Sequence, residues 1–204
     1  MIAQPEYHPR LTPDEYLVAE AKFSVKHEYH DGEVYTMAGA SDEHNLITGN
    51  FYTLLRSHLR GSGCQTFFAD MKVHIDHSNR YSYPDLLVTC DPQDRENCYI
   101  KRHLKLIIEI LSDNTEAFER GDKFHNYCQL DSLEEYILVS QSRPLIDVLR
   151  RGDASDSSWR FHTYTADDIF RLESLDFEGA IAQIYEDVTF PPKFPSPKAL
   201  NQNR

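Results

Sequence analysis

Residues Leu104 to Leu111 read Leu-Lys-Leu-Ile-Ile-Glu-Ile-Leu, an almost unbroken apolar run with one carboxylate inside it. A run of this kind belongs to a strand covered on both faces, so the chain must lay material above and below a sheet. An α/β domain with a mixed central sheet and flanking helices meets that demand. At 204 residues the chain is long enough for one such core, and a single domain over 1–189 is expected.

The other elements are announced by their ends. Thr12-Pro13-Asp14-Glu15 offers a cap, a proline at the first helical position and a capping box, and predicts a helix to about Ala21. Asp31-Gly32, between two β-favouring stretches from His27 to Met37, predicts a hairpin. Ser41 caps a second helix that runs to about Arg60, where Gly61 and Gly63 stop it, with Ile47, Phe51, Leu54 and Leu55 on one face. Strands are expected at Phe67 to Ile75, Tyr83 to Thr89 and Glu135 to Ser140. Leu145 to Arg150 and Trp159 to Thr165 read as an antiparallel pair. Glu119 to Leu130 reads as a helix and Asp167 to Leu172 as a short one. The end, 190–204, holds Pro191, Pro192, Pro195 and Pro197 and reads as a proline-rich disordered tail.

Composition excludes several classes. No run of about 18 apolar residues exists, so no membrane span is expected. The opening Met1-Ile2-Ala3-Gln4-Pro5-Glu6 lacks a basic segment followed by an apolar stretch, which points to a cytoplasmic protein without a signal peptide. Cys64, Cys90, Cys98 and Cys128 form no CxxC pair and read as free thiols in a reducing compartment. No glycine pattern cradles a nucleotide, and no HExxH spacing suggests zinc. The net charge of −12 argues against a uniformly basic nucleic-acid surface.

The chemistry concentrates on the carboxylate in the apolar run. Glu109 would cost several kcal/mol if it were desolvated without a partner, so it must be paired, neutralised, near the strand end or bound to a cation. Asp85 opens a second apolar stretch, Pro84-Asp85-Leu86-Leu87-Val88. If the two strands are neighbours, the two carboxylates meet. Two carboxylates, a strand carbonyl and water make an all-oxygen site for Mg²⁺ or Mn²⁺. Phosphodiester hydrolysis uses such a site, with a lysine beside the developing charge.

These residues resemble a known family. Tyr83-Pro84-Asp85 followed by Ile108-Glu109-Ile110-Leu111-Ser112 is similar to the PD-(D/E)XK nuclease superfamily. Tyr29-His30-Asp31-Gly32-Glu33, Met37-Ala38-Gly39-Ala40 with His44, Gly121-Asp122-Lys123 with Tyr127, and Glu135 to Val139 narrow the likeness to its Uma-type, restriction-endonuclease-like family. The matching pieces span roughly Thr12 to Val188. The resemblance implies a restriction-endonuclease-like fold with an N-terminal helix and β-hairpin, and a metal-dependent endonuclease acting on DNA as a homodimer. It implies Asp85, Glu109 and the Ile110 carbonyl as ligands of Mg²⁺ or Mn²⁺. The superfamily's lysine, two positions after the glutamate, is Leu111 here, and Lys123 on the following helix takes its role.

His44, Asp122 and Tyr127 are possible supporting residues, with a capping, salt-bridging or packing role as the alternative for each. Glu28 and Glu33 read as the charged face of a hairpin, and Asp70 as a candidate third carboxylate. A rival function stays open: a non-catalytic binding or structural module that retains the nuclease-like fold, which the acidic charge and Leu111 both favour.

Overall fold

The computed structural model describes residues 10–37, 39–112, 115–152 and 158–190. Helix α1 (Pro13–Glu20) starts with the expected capping box: Glu15 donates its N–H to the Thr12 hydroxyl, and its carboxylate accepts the Thr12 N–H. Asp31 and Gly32, at φ 46° and 101°, make the tight turn between β1 (His27–His30) and β2 (Glu33–Thr36). Positive φ at both central residues matches the right-handed twist of the flanking strands. Helix α2 (Asp42–His58) is capped by Ser41, whose hydroxyl accepts the His44 N–H, and it lays Ile47, Phe51 and Leu55 into the core.

The stretch Phe67 to Ile75, expected as one strand, is two. β3 (Gln65–Phe68) ends at Ala69, whose φ of 58° turns the chain, and β4 (Lys72–Ile75) joins a different sheet. The strand expected at Tyr83 to Thr89 is shorter and begins only at Leu86. β5 (Arg80–Ser82) pairs in the N-terminal sheet and β6 (Leu86–Thr89) in the large one. Pro84 sits in the crossing, where its missing N–H cannot serve a ladder. β7 (Ile100–Lys101) and β8 (Leu104–Leu111) follow, β8 over the span read from the sequence.

The helix expected at Glu119 to Leu130 begins earlier and is irregular. α3 (Glu116–Phe118) runs into a π turn (Glu119–Lys123) and then α4 (Phe124–Tyr127). Residues at i, i+4 and i+8 of a regular α-helix drift by about 80° around the axis. A π turn winds more slowly and takes that drift back, which keeps Glu119, Lys123 and Tyr127 on one face. β9 (Glu135–Ser140), β10 (Leu145–Arg151) and β11 (Trp159–Thr165) complete the large sheet. Asp167 to Leu172 is not a helix: β12 (Ile169–Leu172) pairs with β13 (Phe177–Ala180), and α5 (Ile181–Ile184) closes the order. Phe170 and Leu172 are buried while Ile169 and Arg171 are exposed, the alternation of a strand.

The large sheet has the order β11-β10-β9-β8-β6-β3, mixed because β8 and β9 run parallel. A second sheet, β2-β1-β5-β4-β7, carries the N-terminal hairpin. Leu106, Ile108 and Ile110 of β8 face a core with α2 and the β12–β13 pair, whereas Ile107 and Leu111 face a core with Tyr127 and Tyr136. The apolar run is thus covered on both sides. Phe190, assigned to the tail by sequence, packs its ring against Tyr185; 191–204 lie outside the described residues.

The thiol expectation is corrected. Cys64 and Cys90 form a disulfide, and Cys98 and Cys128 are free. Gln65 pairs with Thr89 in the antiparallel β3–β6 ladder. The next residue on each strand is therefore a cysteine facing a cysteine, with Cα atoms 4.0 Å apart. Among the described residues no helix is long and apolar enough to cross a membrane.

Candidate active site

Asp85 ends the crossing that leads into β6, and Glu109 lies near the end of β8. Leu86 pairs with Ile108, so the register brings the two carboxylates to one place. Asp85 donates its N–H to Glu109 Oε2 at 3.3 Å, and its own Oδ2 accepts the Ile110 N–H at 2.8 Å. Glu109 and Asp85 thus hold each other's strand as well as sharing a site.

The helical stretch delivers the rest. Lys123 Nζ lies 2.8 Å from Glu109 Oε1, and the Tyr127 hydroxyl donates to the same oxygen at 3.1 Å. Glu119, one turn before Lys123, stands 3.4 Å from its ammonium. From the other side, His44 Nε2 in the first turn of α2 is 3.1 Å from Asp85 Oδ2. Glu109, Lys123 and Tyr127 are buried, whereas the side chains of His44 and Asp85 keep 19% and 20% of their exposure. The cluster therefore opens to solvent on the His44–Asp85 side.

The electrostatics follow from crowding charge into a dry place. Burial, and then the neighbouring negative charge of Glu119, push the Glu109 carboxyl well above the usual carboxylate range, against the pull of Lys123. Burial lifts Glu119 to about 7, with Asp85 and Glu28 adding to the rise. Burial disfavours the Lys123 charge too, but Glu109 and Glu119 outweigh it and hold the ammonium above its ordinary value. For His44 the bond and charge of Asp85 overcome burial and raise the imidazole.

Asp85, Glu109, Lys123, His44 and Tyr127, all singled out from sequence, come together; of Ile110, expected to offer its carbonyl, it is the N–H that reaches Asp85. Asp122 does not: it is exposed, and its carbonyl accepts from the Asn126 side chain. Asp70 is exposed, and Glu33 is exposed and bonded to Tyr35. Two members were missed. Glu28, expected on a solvated hairpin face, is buried, with Oε1 4.0 Å from Lys123 Nζ. Glu119 carried one usable signal, the repeated spacing Glu119, Lys123, Tyr127.

Among the described residues no three or more His, Cys, Asp or Glu side chains are arranged to hold a metal ion, and Glu109 spends both oxygens on protein donors. The donor chemistry is nevertheless that of a hard-cation site. Three carboxylates, from Glu28, Glu109 and Glu119, lie around one ammonium, and Asp85 stands beside Glu109. Burial first, and then repulsion from neighbouring carboxylates, raises Glu109 and Glu119, and a bound cation would relieve the repulsion.

Comparisons with known proteins bear on the family and the fold. The Uma2 family model, described as "Putative restriction endonuclease", matches residues 13–182. A Synechocystis sp. protein, the uncharacterized slr1290, is 38% identical over 182 residues, covering 89% of this chain and 95% of its own. A second, the uncharacterized sll1609, is 35% identical over 133 residues, covering 64% and 75%. A crystal structure from Anabaena variabilis, described as a "putative nuclease belonging to DUF820", superposes with a TM-score of 0.70 at 14% identity, over 86% of this chain and 98% of that one. At that identity the likeness shows the fold, a mixed α/β architecture. With its family model matched over most of its length, the chain belongs to the Uma2 family.

Proposed function

We propose that the protein is a divalent-metal-dependent endonuclease that hydrolyses the phosphodiester bonds of DNA. The observation that carries this reading is the meeting of Asp85, Glu109 and Lys123 in one partly open cluster, with Lys123 Nζ 2.8 Å from Glu109. DNA as substrate rests on the family's description as restriction endonucleases. Two copies would form the working unit, since cutting both strands of a duplex needs two sites.

In this reading Asp85, Glu109 and the Ile110 carbonyl hold Mg²⁺ or Mn²⁺. When bound, the cation polarises a phosphoryl oxygen and lowers the pKa of a water. The remaining work belongs to the chain. Lys123 stabilises negative charge developing on the phosphoryl oxygens. Tyr127 donates to Glu109 and fixes its orientation, and Glu119 steadies the Lys123 ammonium from the preceding turn. His44 bears on Asp85 from the solvent side, where a substrate would arrive.

The test is cleavage of plasmid and oligonucleotide by wild type and Asp85→Ala, with Mg²⁺, with Mn²⁺ and after chelation. Metal-dependent cleavage lost in the variant supports the reading. Absence of cleavage together with no Mn²⁺ uptake at millimolar concentration rejects it. A second reading then takes its place, a non-catalytic module on the same fold. The net charge of −12 and the engagement of both Glu109 oxygens by protein donors favour that alternative.

A further inference from the structure

Glu28 belongs to β1, in the N-terminal sheet, and so to neither of the elements that carry Asp85 and Lys123. Its carboxylate nevertheless touches both sides. Oε1 accepts the Tyr83 N–H at 3.1 Å, two residues before Asp85, and lies 4.0 Å from Lys123 Nζ. Oε2 is 3.5 Å from His30 Nε2. A buried carboxylate without partners is costly, so these partners also fix where Glu28 must stand.

The segment it grips is stiff. Pro84 follows Tyr83, holds its own φ and restricts Tyr83 to extended backbone. The far end of the Tyr83 side chain is anchored too: its hydroxyl donates to Glu20 Oε1 at 2.8 Å and accepts from Lys72 Nζ at 2.8 Å. Beyond Pro84, the Asp85 carbonyl accepts the Ala69 N–H at 3.1 Å. A tilt of the Tyr83 peptide therefore passes through Pro84 into the direction of the Asp85 carboxylate.

We propose that Glu28 is a positioning residue, which sets the Asp85 carboxylate against Glu109 and Lys123 by accepting the Tyr83 N–H. The proposal deepens the endonuclease reading and rests on it for the catalytic consequence, but not for the structural one. Its essential property is acceptor reach rather than charge. That separates it from a buried ion pair with Lys123.

Three variants discriminate the two roles. Glu28→Gln keeps an acceptor at the same reach and loses the charge. Glu28→Asp keeps the charge and falls one methylene short. Glu28→Ala loses both. In metal-free protein, amide hydrogen exchange at Tyr83 and Asp85 should speed up about tenfold or more in the Asp and Ala variants and stay near wild type in Gln. Single-turnover cleavage with Mn²⁺ should fall about 10- to 100-fold in Asp and Ala, with the oligonucleotide dissociation constant within about twofold, and Gln should recover most of the rate. The reverse order, Asp near wild type and Gln impaired, overturns the proposal in favour of a charge role. Unchanged exchange at Tyr83 and Asp85 in the Asp variant also overturns it. If Glu28→Ala does not fold, the Gln–Asp contrast decides alone. If wild type cleaves nothing, the endonuclease reading fails while the exchange measurement still judges the placement.

Discussion

Lys123 Nζ and the Tyr127 hydroxyl both converge on Oε1 of Glu109, at 2.8 and 3.1 Å, so one strand carboxylate is gripped by two successive turns of a helix. In the superfamily pattern the lysine shares a strand with the glutamate. Here position 111 is a buried leucine that belongs to the core beneath the helix, and the helix supplies the ammonium instead.

Replacing Lys123 by alanine should have two separable effects. Loss of the ammonium should cost roughly 2.7–4 kcal/mol of transition-state stabilisation, by analogy with removing one oxyanion donor. It also strips Glu109 and Glu119 of their counter-ion, and breaking a buried pair typically costs about 3–5 kcal/mol of stability. Protonation of the two carboxyls should offset part of that cost at low pH. Single-turnover rates and urea melts at pH 5 and 8 read the two effects. Wild-type cleavage by Lys123→Ala would refute the role given to the lysine.

Glu109→Gln keeps the shape and one of the two acceptor oxygens, removes the charge, and sets an NH2 donor in place of the other oxygen, towards either the Asp85 N–H or the Tyr127 hydroxyl. Stability should fall, because Lys123 loses a buried counter-charge and an amide donor faces a protein donor, and removal of a carboxylate that is expensive to bury offsets only part of that. Calorimetric Mn²⁺ affinity should fall at least about tenfold if Glu109 is a ligand, the scale on which even supporting partners of metal ligands act. Equal affinity in the two proteins would remove Glu109 from the ligand set.

Glu119 contributes to the pH dependence of stability with a definite sign. Glu119 titrates at about 7 in the folded chain against an ordinary 4.5, so between those values the folded state holds a proton that the unfolded state has released. Its contribution to stability is complete below about pH 4.5 and is lost as pH rises through about 7. The raised carboxyl of Glu109 and the raised imidazole of His44 add slopes of the same sign. Glu119→Gln should therefore lose less stability between pH 5 and pH 8 than wild type does. Parallel urea-midpoint curves for the two proteins would contradict the burial of this charge.

The Cys64–Cys90 bond closes a loop across a separation of 26 residues. A cross-link of that span should contribute about 2–4 kcal/mol by restricting the unfolded chain. Reduction, or Cys64→Ser with Cys90→Ser, should lower the denaturation midpoint by a corresponding amount. Thiol titration of the unfolded, unreduced protein that finds all four cysteines reactive would show that the bond does not form.

What the sequence made legible is what local rules govern. Thr12, Asp31-Gly32 and Ser41 announced their turns and caps because a side chain or a positive φ is needed at one position. Glu109 declared itself by interrupting a run that should carry no charge, and the parallel β8–β9 pairing left it no solvent face. Glu28 was illegible, and Glu119 showed only in its spacing to Lys123 and Tyr127, because each sits in a polar neighbourhood that reads as solvated; packing of the helix on β8 and of Glu28 beside Tyr83 and Lys123 dries them. Ala69 gave no sign of ending a strand, since alanine rarely takes positive φ. The cysteine pairing depended on a strand register that spacing alone does not supply.

The wide winding at Glu119–Lys123 has a consequence for how this site can vary. It behaves as a helix with a spare residue in it, so the alignment of acid, base and phenol depends on a residue count as well as on residue identity. Deleting exposed Gly121 would change no functional side chain, yet it would leave Glu119 three residues before Lys123, a step that turns about 300° in regular winding and puts Glu119 about 60° off the line of Lys123 around the axis. Single-residue insertions and deletions there are thus a means of retuning the lysine's surroundings, one that point substitution cannot imitate.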